Sequence, residues 1–268
     1  MSARYILAAL LAFAAAPLSA HEFWISPVDY TVAPSAPAVA DLRVGENFKG
    51  AAFSFLPPNF VRFDLAMGDT VVAVEGRPGD RPALNMVPPD AEGLLTVIHE
   101  TRAYDLTYDS VENFESFVRH KDAEWAVARR VERGLADEPV RESYIRYAKS
   151  LIAIGDGGGM DQDRGLLIEI VAEANPYTID PADGLPVQVL FEGAPRADAQ
   201  IELFAKSPDG TVEVTLHRTD GEGRVTIPVA PGHQYLVDSV VLRESDPAET
   251  NGAEWESLWA SLTFEVPE

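Results

Sequence analysis

The stretch LPVQVLFEGAPRADAQIELF, residues 185–204, carries clear strand signals. Residues 186–192 and 200–206 are short runs rich in apolar residues, and the EGAP sequence at 192–195 has the composition of a turn. Short apolar runs separated by turn residues are typical of strands. The stretch therefore predicts two antiparallel strands and favours a β fold.

The same pattern continues on both sides of this stretch. Together with the first two strands, it predicts seven short strands in about a hundred residues, which is typical of an immunoglobulin-like or transthyretin-like β-sandwich. The remaining predicted strands of this region are residues 166–172, 212–218, 224–229, 235–242 and 258–266.

The first half of the chain also favours short strands. Proline and glycine interrupt it often, as expected of strands joined by loops, so a second antiparallel sandwich is predicted here. Its predicted strands are residues 38–45, 53–56, 60–65, 69–74 and 94–99.

The period changes from two to that of a helix over residues 110–154. Apolar residues recur at helical spacing in two runs, and Gly134 and Pro139 lie between the runs. The pattern predicts two helices inserted into the first sandwich. The first run consists of Phe114, Phe117, Val118, Trp125, Ala128 and Val131, and the second of Tyr144, Tyr147, Ala148, Leu151 and Ile152.

The division into domains follows from a glycine-rich, acidic segment, GDGGGMDQDRG, which predicts a flexible linker. Its aspartates lack the glutamate spacing of an EF-hand calcium loop. The fold class predicted is mainly β, with two β-sandwich domains. The predicted units are a signal peptide (1–20), an N-terminal sandwich (21–155) with a helical insertion at about 110–154, a linker (156–165) and a C-terminal sandwich (166–268).

The net charge of the chain limits the kinds of partner that it can bind. The 268 residues include 43 Asp plus Glu and 21 Lys plus Arg, for a net charge of −22. A field of this sign repels nucleic acid and attracts cations. The composition therefore predicts no nucleic-acid partner and favours a metal ion or another cation, and it indicates no particular oligomeric state.

The N-terminal segment predicts export. MSARYILAALLAFAAAPLSA has one Arg, an apolar run too short to span a bilayer, and small residues before a cleavage site after Ala20. The absence of cysteine excludes disulfides and thiolate metal sites. A soluble protein of the bacterial periplasm is the resulting expectation.

Cleavage after Ala20 would leave His21 as the first residue. A free α-amine and an imidazole on one residue can chelate a divalent transition-metal ion such as Ni, Co or Cu. Glu22 and His99, which lies at the end of a predicted strand, are the candidate additional ligands. The remaining histidines, His120, His217 and His233, are isolated and lack metal-site spacing.

Four segments together resemble a family of exported proteins, the domain-of-unknown-function family four-one-nine-eight, some members of which are nickel or cobalt uptake components of the NikM or NikK type. The resemblance implies a periplasmic location, two sandwich-like domains and a link to transition-metal uptake. Its usual start, a histidine, an acidic residue and Phe-Trp, corresponds to His21, Glu22, Phe23 and Trp24. The segments are HEFWISP, SYIRYAKSLIAIGD, LPVQVLFEGAPRADAQIELF and WESLWASLTFE.

One departure concerns a possible ligand. Many relatives have a late strand that ends in Val-His, whereas residues 235–242 here read YLVDSVVL, with no histidine. If that histidine binds metal in relatives, this chain has lost or replaced it.

Three functions remain open from the sequence. The first is a non-catalytic accessory protein that captures a metal ion and passes it to a membrane transporter or an outer-membrane receptor. The second is an interaction module without metal. The third is a copper oxygenase in which His21 and a second histidine such as His99 form a histidine brace. No catalytic triad motif is present.

A cluster of polar and aromatic residues between positions 144 and 149 has two interpretations. Tyr144, Arg146, Tyr147 and Lys149 on the second predicted helix could grip an anionic ligand, but amphipathic packing with ion pairs also accounts for them and is preferred.

Overall fold

The computed structural model describes residues 21–135 and 138–268. The predicted signal peptide lies outside the described residues. None of the described helices is long and apolar enough to cross a membrane.

The helices are α1 (Val111–His120) and α2 (Trp125–Glu132). The strands are β1 (Glu22–Pro27), β2 (Thr31–Val32), β3 (Ala38–Glu46), β4 (Lys49–Phe53), β5 (Phe60–Met67), β6 (Thr70–Ala73), β7 (Leu84–Met86), β8 (Gly93–Thr101), β9 (Tyr104–Thr107), β10 (Arg141–Ile154), β11 (Ile168–Ala172), β12 (Leu185–Phe191), β13 (Ala194–Pro195), β14 (Gln200–Lys206), β15 (Val212–Arg218), β16 (Arg224–Ile227), β17 (Gln234–Glu244) and β18 (Trp255–Glu265).

Three sheets form the fold, and the prediction of a mainly β protein is confirmed. A ten-stranded sheet has the order β15-β14-β17-β18-β10-β8-β5-β6, with β2 and β9 also pairing with β10. A small sheet contains β1, β3, β4 and β7, and another contains β11, β12, β13 and β16. Each smaller sheet packs against the large one over its own apolar core, which gives two sandwiches that share one sheet.

The ten-stranded sheet joins the two halves of the chain through β10 and β18. These strands pair in parallel, from Glu142 opposite Trp255 to Ser150 opposite Thr263, whereas the other strand pairs of this sheet except β10–β2 are antiparallel. The backbone hydrogen bonds of one sheet therefore cross the predicted domain boundary.

The prediction of a second helix is wrong, because its residues form the 14-residue strand β10. Tyr147 and Leu151 pack into the core beneath the β11–β12 sheet, while Ala148 and Ile152 pack into the core beneath the small β1–β3 sheet. A strand that is buried on both faces has apolar residues at odd and even positions, so its period of two is hidden.

The predicted linker, residues 156–165, contains no helix or strand and is mostly exposed, but hydrogen bonds attach it to both halves. The Leu94 amide donates to the Gly158 carbonyl at 2.7 Å, and the Asn175 side chain donates to the Gly157 and Gly159 carbonyls. Asp161 is buried. These bonds hold the segment against both sandwiches.

The first apolar run, predicted as one helix, is helical but forms two helices, α1 and α2. The Ser110 hydroxyl accepts a hydrogen bond from the Asn113 amide and so caps α1. Phe114 stacks on Trp255 at 5.7 Å between ring centroids, and Phe117 stacks on Trp259 at 5.8 Å. The helices therefore cover the β18 side of the large sheet.

Candidate functional site

A cleft lies along the large sheet where the small β1–β3 sheet gives way to the helices. It consists of a cavity of about 250 Å³ and a neighbouring cavity of about 380 Å³. Val44, Tyr144 and Arg146 line both cavities. We call the two together the Arg146 cleft.

Strand geometry aims Arg146 into this cleft. Alternation along β10 puts Tyr144 and Arg146 on one face and Tyr147 and Lys149 on the other. The Arg146 guanidinium carbon lies 5.1 Å from the ring centroid of Tyr144 and 5.5 Å from that of Trp259. Both distances fall in the range of cation–π attraction.

His99 lies inside strand β8 and lines the smaller cavity. Its ring is 4.7 Å from that of Phe60, 5.1 Å from Phe63 and 5.2 Å from Phe23, measured between centroids. Burial in this aromatic surrounding lowers the pKa of His99 to about 3. The imidazole is therefore neutral at physiological pH.

Glu22 points away from His99 into a buried charge cluster around Lys121. The Lys121 Nζ lies 2.6 Å from a Glu202 carboxylate oxygen, 3.0 Å from Asp238 and 3.5 Å from Glu22. Burial raises the pKa of Glu22 to about 7, against the opposing effect of Lys121. His120, at the end of α1, lies 3.0 Å from Glu202 through its Nε2. An ammonium thus occupies the place where these carboxylates converge.

His21 stays at the surface, beside a carboxylate that the sequence prediction omitted. Its side chain is 50% exposed, and its Nε2 lies 4.0 Å from the Glu46 Oε1, whose side chain is 42% exposed. The pairing of Glu22 with Gly45 brings the residues just beyond them, His21 and Glu46, opposite each other. Gly45 is needed here, because a Cβ would lie 2.0 Å from the Lys49 carbonyl oxygen.

The predicted ligands His21, Glu22 and His99 therefore do not form one cluster. Within residues 21–135 and 138–268, no group of three or more His, Asp or Glu side chains is arranged to hold a metal ion. Glu46 and Arg146 are the residues that the site prediction missed. The sequence pattern placed Arg146 on a predicted helix and favoured a packing role for it. No sequence motif marks Glu46.

The larger cavity also contains a buried carboxyl group. The Tyr108 hydroxyl donates to Glu142 at 2.5 Å, and the Ser257 hydroxyl donates to the other carboxyl oxygen. The Trp259 ring nitrogen donates to Ser257 at 2.8 Å. Burial raises the pKa of Glu142. Because both oxygens have partners, we assign this chain of hydrogen bonds to the packing between the helices and the sheet.

The fold and the cleft define a β-sandwich protein with a candidate small-ligand site. The family described as "Domain of unknown function (DUF4198)" matches residues 18–242, and the chain belongs to this family. No curated protein matches the chain.

One similar solved structure is described as the crystal structure of a tetra-tandem repeat in the extending region of a large adhesion protein. The identity is 10%, the TM-score is 0.20, and the alignment covers 91% of this chain and 50% of that one. This chain thus spans about half the length of that structure, and we draw no conclusion from a likeness at this level.

Proposed function

We propose that this protein captures a divalent transition-metal ion as cargo at His21 after removal of residues 1–20 in the periplasm. Removal frees an α-amine, which closes a chelate ring with the imidazole Nδ1. Nickel, cobalt and copper suit two nitrogen donors. The link to nickel and cobalt uptake of the NikM or NikK type is part of this proposal.

The observation that carries the proposal is the pair of His21 and Glu46. With Nδ1 on the metal, Nε2 keeps its proton and faces the Glu46 carboxylate at 4.0 Å. Histidine ligands commonly donate their second N–H to a carboxylate, which fixes the tautomer and increases the basicity of the ligand. Both side chains are about half exposed, so rotation can shorten this distance to that of a hydrogen bond.

The backbone of His21 is held, which favours a defined site over a frayed terminus. An Arg146 Nη1 donates to the His21 carbonyl oxygen at 2.8 Å. The next residue, Glu22, is buried and paired with β3. Only the amine and imidazole of His21 remain free to bind a cation.

The exposure of the His21 side chain suits delivery of a bound metal ion to a partner protein. A site with few protein ligands exchanges its ion readily, and the net charge of −22 raises the local concentration of cations. The proposed recipient is a membrane transporter or an outer-membrane receptor.

Replacing Glu46 with glutamine tests the role of the carboxylate. We expect Glu46→Gln to weaken Ni(II) or Cu(II) binding to protein that starts at His21 by about tenfold, because the amide is a poorer acceptor for the Nε2 proton. Isothermal titration calorimetry measures the change. Glu75→Gln, at an exposed carboxylate elsewhere, should keep the original affinity. Equal affinities of the two variants would contradict the assignment of Glu46.

A second candidate function is an interaction module without metal. It is favoured by the lack of a group of three metal-binding side chains within residues 21–135 and 138–268. A copper oxygenase would need a second imidazole on the ion, and the His99 ring is instead enclosed by Phe23, Phe60 and Phe63. If protein starting at His21 binds no Ni(II), Co(II) or Cu(II), the interaction module is the remaining function.

A further inference from the structure

The smaller cavity of the Arg146 cleft is apolar over most of its wall. Aromatic and aliphatic side chains from β1, β3, β4 and β5 close it, and its polar groups include Arg146 at one boundary and His99. Its volume is about 250 Å³. A cavity of about 150 Å³ holds benzene, so this one fits a single aromatic ring with a short substituent. The apolar wall residues are Phe23, Leu42, Val44, Phe53, Leu56 and Phe60.

His99 lines this cavity with its ring, while both ring nitrogens are shielded from the cavity. Its side chain is 1% exposed, and neither ring nitrogen has a hydrogen-bond partner among the described residues. A neutral imidazole offers one donor and one acceptor. Since neither nitrogen is accessible from the cavity, the His99 ring acts as one more aromatic wall beside Phe23 and Phe60.

Arg146 supplies the positive charge. Across residues 21–135 and 138–268 it forms no ion pair within 4.0 Å, although the chain carries 43 Asp plus Glu. Its one hydrogen bond from the guanidinium goes to the His21 carbonyl. A guanidinium has five N–H donors, so several remain for an anion. Half-buried arginines of this kind bind carboxylates well.

We propose that the Arg146 cleft binds a small aromatic carboxylate. The carboxylate lies on Arg146, and the ring lies between the apolar walls. Phe23 joins the charged end of the site to its apolar wall: its ring centroid is 6.0 Å from the Arg146 guanidinium carbon and 5.2 Å from the His99 ring. A ligand ring that packs against Phe23 therefore lies close to the guanidinium.

This site adjoins the metal proposed at His21, because Arg146 also donates to the His21 carbonyl and His21 lines the larger cavity. Ligand binding needs neither the α-amine nor Glu46, and it can be measured in the presence of a chelator. Its failure would leave the metal proposal untouched, and the reverse also holds.

Calorimetric titration with three probes tests the site: 4-hydroxyphenylacetate, phenylacetate and the neutral alcohol 2-(4-hydroxyphenyl)ethanol. Wild-type protein in EDTA should bind each of the two acids at least about tenfold more tightly than the alcohol. The alcohol reports the contribution of the carboxylate, and phenylacetate shows that the ring hydroxyl is not required.

Two variants assign the contacts. Arg146→Gln should remove the preference for the acid over the alcohol, whereas Arg77→Gln, at an exposed arginine, should keep it. Far-UV circular dichroism checks that each variant is folded.

The probes keep the proposal falsifiable even if a variant does not fold. Wild-type protein that binds neither acid, or that binds the acid and the alcohol equally, would overturn the proposal. An Arg146→Gln protein that is folded and still prefers the acid would overturn it as well.

Discussion

Replacing Lys121 with methionine is expected to lower the free energy of unfolding by about 3–5 kcal/mol. The Lys121 side chain is 2% exposed and is the cation shared by Glu22, Glu202 and Asp238. Burial alone would lower the pKa of this ammonium, but the three carboxylates raise it above its ordinary value. Its removal leaves buried negative charges without a counter-charge.

Urea unfolding followed by tryptophan fluorescence measures this loss. Lys49→Met, which removes an exposed ammonium, is the matched control and should cost less than about 0.5 kcal/mol. Adding Asp238→Asn to Lys121→Met should recover part of the loss, since it removes one of the unpaired charges. A loss below about 1 kcal/mol for Lys121→Met would mean that the cluster does not hold the fold together.

Replacing Lys149 with methionine is expected to have an effect of the same size, about 3–5 kcal/mol. The Lys149 Nζ lies 2.8 Å from Asp161 Oδ2 and 2.8 Å from Glu169 Oε1, and all three side chains are almost fully buried. It also donates to the Gln162 and Ile170 carbonyls at 3.2 Å. Lys149 therefore ties β10 to the segment 156–165 and to β11.

The same unfolding experiment checks this prediction, with Lys206→Met, a partly exposed lysine, as the control. We expect one cooperative transition in wild type, because the large sheet crosses both halves. A small loss in Lys149→Met, together with separate unfolding of the two halves, would indicate that residues 156–165 act as the flexible linker predicted from the sequence.

The sequence predicted most of the β structure because runs such as β12 keep a visible period of two, with Leu185, Val187 and Val189 in the core. It failed at β10, where Ala148 and Ile152 enter one core while Tyr147 and Leu151 enter the other. The resulting spacing matches a helix as well as a strand buried on both faces. The parallel pairing of β10 with β18 is a contact between distant parts of the chain, which local patterns do not reveal.

The candidate site was predictable only in part. His21 follows from the leader sequence and the chemistry of a terminal histidine. Glu22 was assigned to metal because its partner lies far along the chain: Lys121 is 99 positions away. Glu46 becomes visible only when β1 and β3 are paired, and Arg146 only when β10 is known to be a strand. On the strand, Arg146 and Tyr144 lie on the same face.

The central claim is that the freed α-amine of His21 binds a metal ion together with its own imidazole. Calorimetric titration of Ni(II) into protein that starts at His21, beside protein with a five-residue Gly-Ser extension ahead of His21, tests it most directly. The extension should weaken binding about 100-fold or more, because the amine no longer belongs to the histidine and the chelate is lost. Equal affinity in the two proteins, or no binding to either, would contradict the claim.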